Sequence, residues 1–487
     1  MKKRESRMQN IWKDFLKRKE LAALIIVVSA MIFNSLGMQQ GGMEIATHYT
    51  EFGIIAGIIV ALAWVAAIRI FKSTQYSKTD LERLNTDMKI KWLRLRKDRW
   101  YSDYRAGETL ALVGFALLLS VSVWSTTMFP RSGVIVKVCK LTFLGCMGVK
   151  IILYDRYRIK ELLLIALAGA CVLGNLYASR YLDPLMWMML ILGSRNVPFK
   201  KIIQVYLMIA GGICLLAFAG SILGIIENLQ YEAGERGIRN SFGIMYPTDF
   251  GAHVFFLLLS FFYLWGERLK WYHYMLGTLA GFLVYRYCNA RVDSGCIIMA
   301  SMLFGIGNLI TKKRKSEKDS LMQKIWKKCW GWFGPYIMPL LAIASIAATN
   351  AYNWEYAGES VYSTLVARLM FGKKAFVEYG IKLFGQKIEM IGGGLTTDWQ
   401  GDYFFLDCSY VNILMTWGVL LLIIVLALFW YACWKNSKDL YLQYAMALIA
   451  VNCVIAHHLM DISYDIFVLA AVGMEQRKNC IEKNEDH

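Results

Sequence analysis

Apolar stretches of membrane-crossing length recur along nearly the whole chain, and that recurrence decides the class of fold. A helix needs about 20 mostly apolar residues to cross the hydrocarbon core of a bilayer. Apolar windows broken at charge clusters predict spans at 21–37, 53–71, 107–125, 133–154, 161–179, 183–197, 202–226, 247–265, 270–287, 295–311, 331–350, 408–432 and 440–458, with a short last one at 462–474. The expected fold is all-α, a polytopic transmembrane helix bundle of about 13–14 spans, because a helix satisfies its own backbone N–H and C=O groups in lipid. Only 18% of the 487 residues are charged and 57% are hydrophobic. Soluble domains carry about 25% charge, so no large soluble domain fits. One integral membrane domain over 1–487 is expected, with basic cytoplasmic loops at 72–106 and 311–330 and a long extracytoplasmic loop at 350–407.

The net charge is +18, from 54 Lys and Arg against 36 Asp and Glu. In a soluble protein this excess would suggest nucleic acid. Here the basic residues crowd into alternate loops, which the positive-inside rule reads as orientation. Both termini are expected in the cytoplasm of a multi-pass cell-membrane protein, and nucleic acid is excluded as a partner. The basic run 1–20 precedes the apolar stretch 21–37, which lacks a small-residue cleavage site and reads as a retained first span. The basic inner segments are interleaved with aromatics and suit anchoring on anionic membrane lipids. Cysteines such as Cys139, Cys171 and Cys453 sit inside apolar segments without disulfide or zinc spacing, so no metal and no cofactor are expected.

The long outer loop carries its own pattern. Leu365, Leu369, Phe376, Leu383 and Phe384 recur near helical spacing among lysines, and Gly372, Gly380, Gly385 and Gly392–Gly394 interrupt them. Two short amphipathic helices followed by an irregular segment are expected.

Outer-side arginines are informative because they run against the orientation bias. Arg239, Arg291 and Arg368 fall in three outer segments, and three guanidiniums converging on one spot would bind a diphosphate bidentately where lysine acts only as a point charge. Asp407 stands at the mouth of a span, where partial burial would raise its pKa toward that of a useful base. Taken singly, each has an ordinary reading. The arginines could pair with Glu235, Asp293, Glu359 or lipid headgroups, Asp407 could cap a helix, and His457 and His458 could be a structural pair.

Together these residues resemble the O-antigen and capsular polysaccharide repeat-unit polymerases of the Wzy type, which share a superfamily with the O-antigen ligases. The likeness lies in Arg239-x-Ser241-Phe242-Gly243-(x)3-Pro247 before one span, in Ala290-Arg291-(x)2-Ser294-Gly295 before another, and in the long loop holding Arg368, Leu383-Phe384-Gly385 and Asp407-Cys408-Ser409-Tyr410, with Gly418 beyond. It covers mainly the C-terminal half. The resemblance implies a metal-independent membrane glycosyltransferase that moves a polyprenyl-diphosphate-linked glycan onto a second lipid-linked repeat unit, with a chain-length regulator and a flippase as further partners. It casts Arg239, Arg291, Arg368 and Asp407 as catalytic and Ser241, Tyr246, Ser294, Ser409 and Tyr410 as substrate-binding, with His457 or His458 as an alternative base. The chain departs from the pattern at two places. Asp407-Cys408 stand where the ligases carry His, and Tyr246-Pro247 replaces a frequent His-Pro. The reading from another class is a lipid-linked oligosaccharide flippase or transporter, with Lys137 and Lys140 on one helix face.

Overall fold

The computed structural model describes residues 106–155, 157–232, 237–311, 320–353, 364–392, 394 and 403–473. The expected spans at 21–37 and 53–71, the segments 1–20 and 72–105, and the carboxylates Glu235 and Glu359 lie outside the described residues. The described residues fall in two compact units, 106–107 with 148–170 (residue 156 excepted) and 108–147 with 171–473. Within the smaller, Lys150 and Asp155 form a buried ion pair of 2.6 Å where a helix ends in a π-turn, Lys150–Tyr154. All that bears on the candidate site belongs to the larger.

The described architecture is all-α. In chain order the helices are α1 Ala106–Trp124, α2 Gly133–Val149, α3 Ile159–Ser179, α4 Asp183–Gly193 and α5 Phe199–Ile222. After a two-stranded hairpin of β1 Gln230–Glu232 and β2 Ile238–Asn240 come α6 Pro247–Trp265, α7 Trp271–Cys288, α8 Arg291–Thr311 and α9 Leu321–Ala351. The last four are α10 Thr364–Tyr379, α11 Ser409–Thr416, α12 Val419–Lys435 and α13 Leu440–Asn452. Six of these, α1, α3, α5, α6 with its 3-10 extension to Arg268, α8 and α9, are long and apolar enough to cross a membrane. The chain is a multi-pass membrane protein.

Helix packing relies on small residues, as expected where lipid offers no hydrophobic drive between helices. A Cβ on Gly277 of α7 would sit 2.5 Å from the Ser301 hydroxyl of α8, and one on Gly281 would sit 2.7 Å from Ile298. A Cβ on Gly251 of α6 would lie 2.8 Å from that of Ala290, immediately before α8. The starts of α6 and α8 are therefore held against each other.

Several expectations need correction. The span expected at 408–432 is two helices, α11 and α12, broken at Trp417-Gly418. The span at 440–458 stops at Asn452, and of the span expected at 462–474 the described residues 462–473 form turns and a 3-10 helix, Phe467–Ala471, whose residues are buried. Hydropathy marks burial, and here that burial is inside the protein, where irregular backbone is tolerated. The loop expected at 311–330 is helical from Leu321, because Ser320 and Gln323 form a reciprocal capping box. Among its described residues the long loop holds one helix, α10, and 382–385, where a second was expected to form, is not helical. Gly372 does not break α10, since its missing Cβ lets the helix approach Thr349, 2.7 Å from where that atom would be. Gly380, at φ 65°, ends it.

The break between α11 and α12 is built by the segment that follows α10. Lys382 and Leu383 carbonyls accept the N–H groups of Val419 and Leu420 at 3.2 Å each. Asn175 of α3 donates to the Phe384 and Thr416 carbonyls at 2.8 and 2.9 Å. The crossing is close enough that a Cβ on Gly418, at φ 91°, would lie 2.2 Å from the Gly385 nitrogen. Gly418→Ala should therefore lower the melting temperature of the purified protein by several degrees, since the backbone strain alone is about 1–3 kcal/mol. Gly212→Ala on α5 meets nothing within 4 Å and should leave it unchanged or raised. Equal melting temperatures for the two variants would contradict this account of the crossing.

Candidate functional site

A cavity of about 460 Å³ opens in the larger unit, and Arg239, Arg291, Arg368 and Asp407 all line it. The hairpin brings Arg239, whose backbone pairs with Tyr231 in register. Its Nε donates to the Cys288 carbonyl at 3.0 Å, and its guanidinium carbon lies 5.4 Å from the Tyr246 ring centre. Arg239 is buried, with 9% exposure. Arg291 opens α8 two residues after Asn289, which takes the left-handed φ of 48° and accepts from the Arg291 Nε at 3.3 Å. Among the described residues no carboxylate pairs with Arg239 or Arg291. Asp293 instead accepts from Asn452 at 3.0 Å.

Arg368, on α10, forms a 2.8 Å ion pair with Asp407. Its carboxylate partner is thus the other residue singled out for chemistry. Asp407 does not cap α11. The N-cap position is Cys408, and it makes no side-chain capping bond. Burial pushes the Asp407 carboxyl up to about 6 against the opposing pull of Arg368 and a hydrogen bond from Tyr403. His457, in the turn beyond α13, places its Nδ1 3.8 Å from Asp407. Burial and the Arg368 charge hold its pKa down at about 4, so the imidazole is neutral near pH 7.

Tyr246, His457 and His458 also line the cavity. Ser241, Ser294, Ser409 and Tyr410 are not among its lining residues. The Ser241 hydroxyl donates to Leu229 at 3.0 Å, and that of Tyr410 donates to Ala450 at 2.8 Å. Ser409 ties α11 to the turn after α13, donating to Ala456 at 2.6 Å and accepting from the Leu459 N–H. Ser294 is buried at 2% exposure. Ser241 and Ser409 thus fasten turns beside the site, whereas the Ser294 hydroxyl has no hydrogen-bond partner among the described residues.

Sequence reasoning passed over Asp249, Tyr403 and the aromatic wall of Phe371 and Phe405. Asp249 stands in the first turn of α6, only two residues past Pro247. An acid there reads as an ordinary complement to a helix N-terminus, so nothing in its spacing marked it.

Chemically the cavity gathers three guanidiniums, two carboxyls and two imidazoles, a set able to meet an anion. The first turns of α6 and α8 border it, adding partial positive charge and free N–H groups. Three guanidiniums outnumber Asp407 and Asp249. Among the described residues no cluster of His, Cys, Asp and Glu fit to hold a metal occurs. No family model, curated protein or solved structure matches the chain.

A carboxyl raised from 3.8 to about 6 favours the folded state most below the unfolded value, and that contribution is lost as pH rises through the folded one. Infrared titration of the protonated carboxyl band, with Asp407→Asn as the difference reference, should give a midpoint near 6. Arg368→Ala should move it higher. A midpoint at the ordinary carboxylate value would contradict the burial described.

Proposed function

We propose that the protein is a polysaccharide polymerase that transfers a polyprenyl-diphosphate-linked glycan onto a lipid-linked repeat unit at the outer face of the membrane. The observation that carries this reading is the convergence of Arg239, Arg291, Arg368 and Asp407 on one cavity. An acceptor hydroxyl attacks the donor's anomeric carbon, the bond to the diphosphate oxygen breaks, and the diphosphate leaves with the electron pair. The arginines hold the charge that develops on it, and Asp407 takes the hydroxyl proton. The Arg368–Asp407 pair couples binding to basicity. When a diphosphate draws Arg368 away, the larger of the two influences lowering the Asp407 pKa is weakened, and the carboxylate becomes a better base.

A second reading is a proton-coupled transporter of the same lipid. What favours it is a run of rings in contact that begins at the cavity. His457 and His458 lie 4.4 Å apart, His458 and Tyr464 4.1 Å, and Tyr464 and His253 4.2 Å between centroids. His253 then meets the Thr126 hydroxyl at 2.9 Å. Buried ionisable groups in membrane helices often mark proton paths.

Purified protein in lipid vesicles with only the polyprenyl-diphosphate repeat unit should lengthen the glycan. Arg239→Ala, Arg291→Ala and Arg368→Ala should each slow chain growth by about 10²–10³-fold, and Asp407→Asn by about 10²–10⁴-fold, with membrane insertion unchanged. Translocation without bond formation would favour the transporter, and full chain growth in all four variants would overturn the proposed roles.

A further inference from the structure

An apolar groove of about 570 Å³ adjoins the cationic cavity. Its walls come from α5, the end of the hairpin, α6 and α7, through Phe218, Phe242, Phe250, Ala280, Leu283 and Tyr287. We propose that this groove seats the first isoprene units of the diphosphate lipid, so that one motif reads head and tail together. The proposal rests on the diphosphate reading given above.

Continuity between the two sites is the first argument. Arg239 lines the cavity, and the next residue, Asn240, lines the groove. Cys288 also lines the groove, and its carbonyl is the group that holds the Arg239 Nε. Asn240 donates to the Tyr287 carbonyl at 3.3 Å, closing the same seam. A ligand whose anionic end meets Arg239 therefore has an apolar channel at the adjoining residues.

The second argument is the backbone of the motif. Phe242 has φ 49°, a left-handed conformation uncommon for a bulky residue and held only when its surroundings over-determine it. The Asn228 side chain accepts the Phe242 N–H at 2.8 Å, the Gly243 carbonyl accepts from Met128 at 2.9 Å, and Ser241 is bonded to Leu229 through both its N–H and its hydroxyl. A Cβ on Gly243 would lie 2.5 Å from the Ala217 carbonyl oxygen. These bonds hold the Phe242 ring among Phe218, Phe250 and Tyr287, at centroid distances of 5.4, 5.2 and 6.3 Å. Thus Arg239 serves the cavity and Phe242 the groove. Leu283 and Tyr287 keep 48% and 47% exposure on the apolar outer surface, so the groove is open from the side where a lipid tail would arrive.

The test uses full-length protein in phosphatidylcholine nanodiscs, titrated by calorimetry with inorganic pyrophosphate and with farnesyl diphosphate, empty nanodiscs being subtracted. The parent should bind farnesyl diphosphate at least tenfold tighter than pyrophosphate. Ala280→Trp, which fills the groove, and Phe242→Ala, which removes a wall, should cut that preference to threefold or less while pyrophosphate affinity stays within twofold. Retention of the full preference in either variant overturns the groove assignment. A diazirine-bearing isoprenyl diphosphate on the unaltered protein should label α7 near Ala280 or Leu283, and labelling confined to other helices also overturns it. Displacement of that label by phosphatidylglycerol at equal concentration would assign the groove to acyl chains and refute the isoprenoid. Absence of pyrophosphate binding in the parent would instead refute the diphosphate reading and remove the groove's occupant with it.

Discussion

The close backbone crossing of Gly385 and Gly418 is the constraint on which the site end of this molecule depends. A helix inside a membrane protein breaks only where another segment meets the backbone groups that the break leaves open. Here the run after α10 supplies carbonyls to Val419 and Leu420, and Asn175 gathers carbonyls from that run and from the end of α11. With α11 ended there, its start is pinned to the turn after α13 by Ser409. Asp407 and His457 are neighbours because of that pin.

Electrostatics then give the cavity its character. Charges withdrawn from water interact strongly and are costly without partners, which applies to buried Arg239 and partly buried Arg368, while Arg291 is exposed. Arg368 has Asp407, whereas Arg239 leans on a carbonyl and an aromatic face and Arg291 on an amide oxygen. Neutral partners such as these hold a guanidinium in place without cancelling its charge. That arrangement favours an anion with several oxygens, and the first turns of α6 and α8 act in the same direction.

Periodicity and hydropathy captured most of the spans, because burial and lipid exposure both demand apolar residues. The same blindness explains the errors. At 462–473 the apolar residues pack inside the protein as turns, and at 408–432 one apolar run conceals a break that only the contact between Gly385 and Gly418 reveals. Gly372 was read as a helix breaker and is a packing position. For the site, charge against the orientation bias singled out the three arginines and a carboxylate at the mouth of a span singled out Asp407, and all four line one cavity. Ser241, Ser409 and Tyr410 share the arginines' motifs, yet their hydroxyls are consumed by backbone carbonyls. No spacing rule separates a hydroxyl that meets a ligand from one that fastens a turn. Asp249 escaped notice for the converse reason, since an acid at a helix start is ordinary.

The account stands or falls on whether the guanidiniums clasp phosphate. Cryo-electron microscopy of the protein in nanodiscs with an isoprenyl diphosphate tests this most directly. The account predicts paired phosphate density within hydrogen-bond distance of Arg239, Arg291 and Arg368, with the Arg368–Asp407 contact lengthened from its 2.8 Å. Phosphate density elsewhere, with that ion pair intact and the cavity empty, would contradict it.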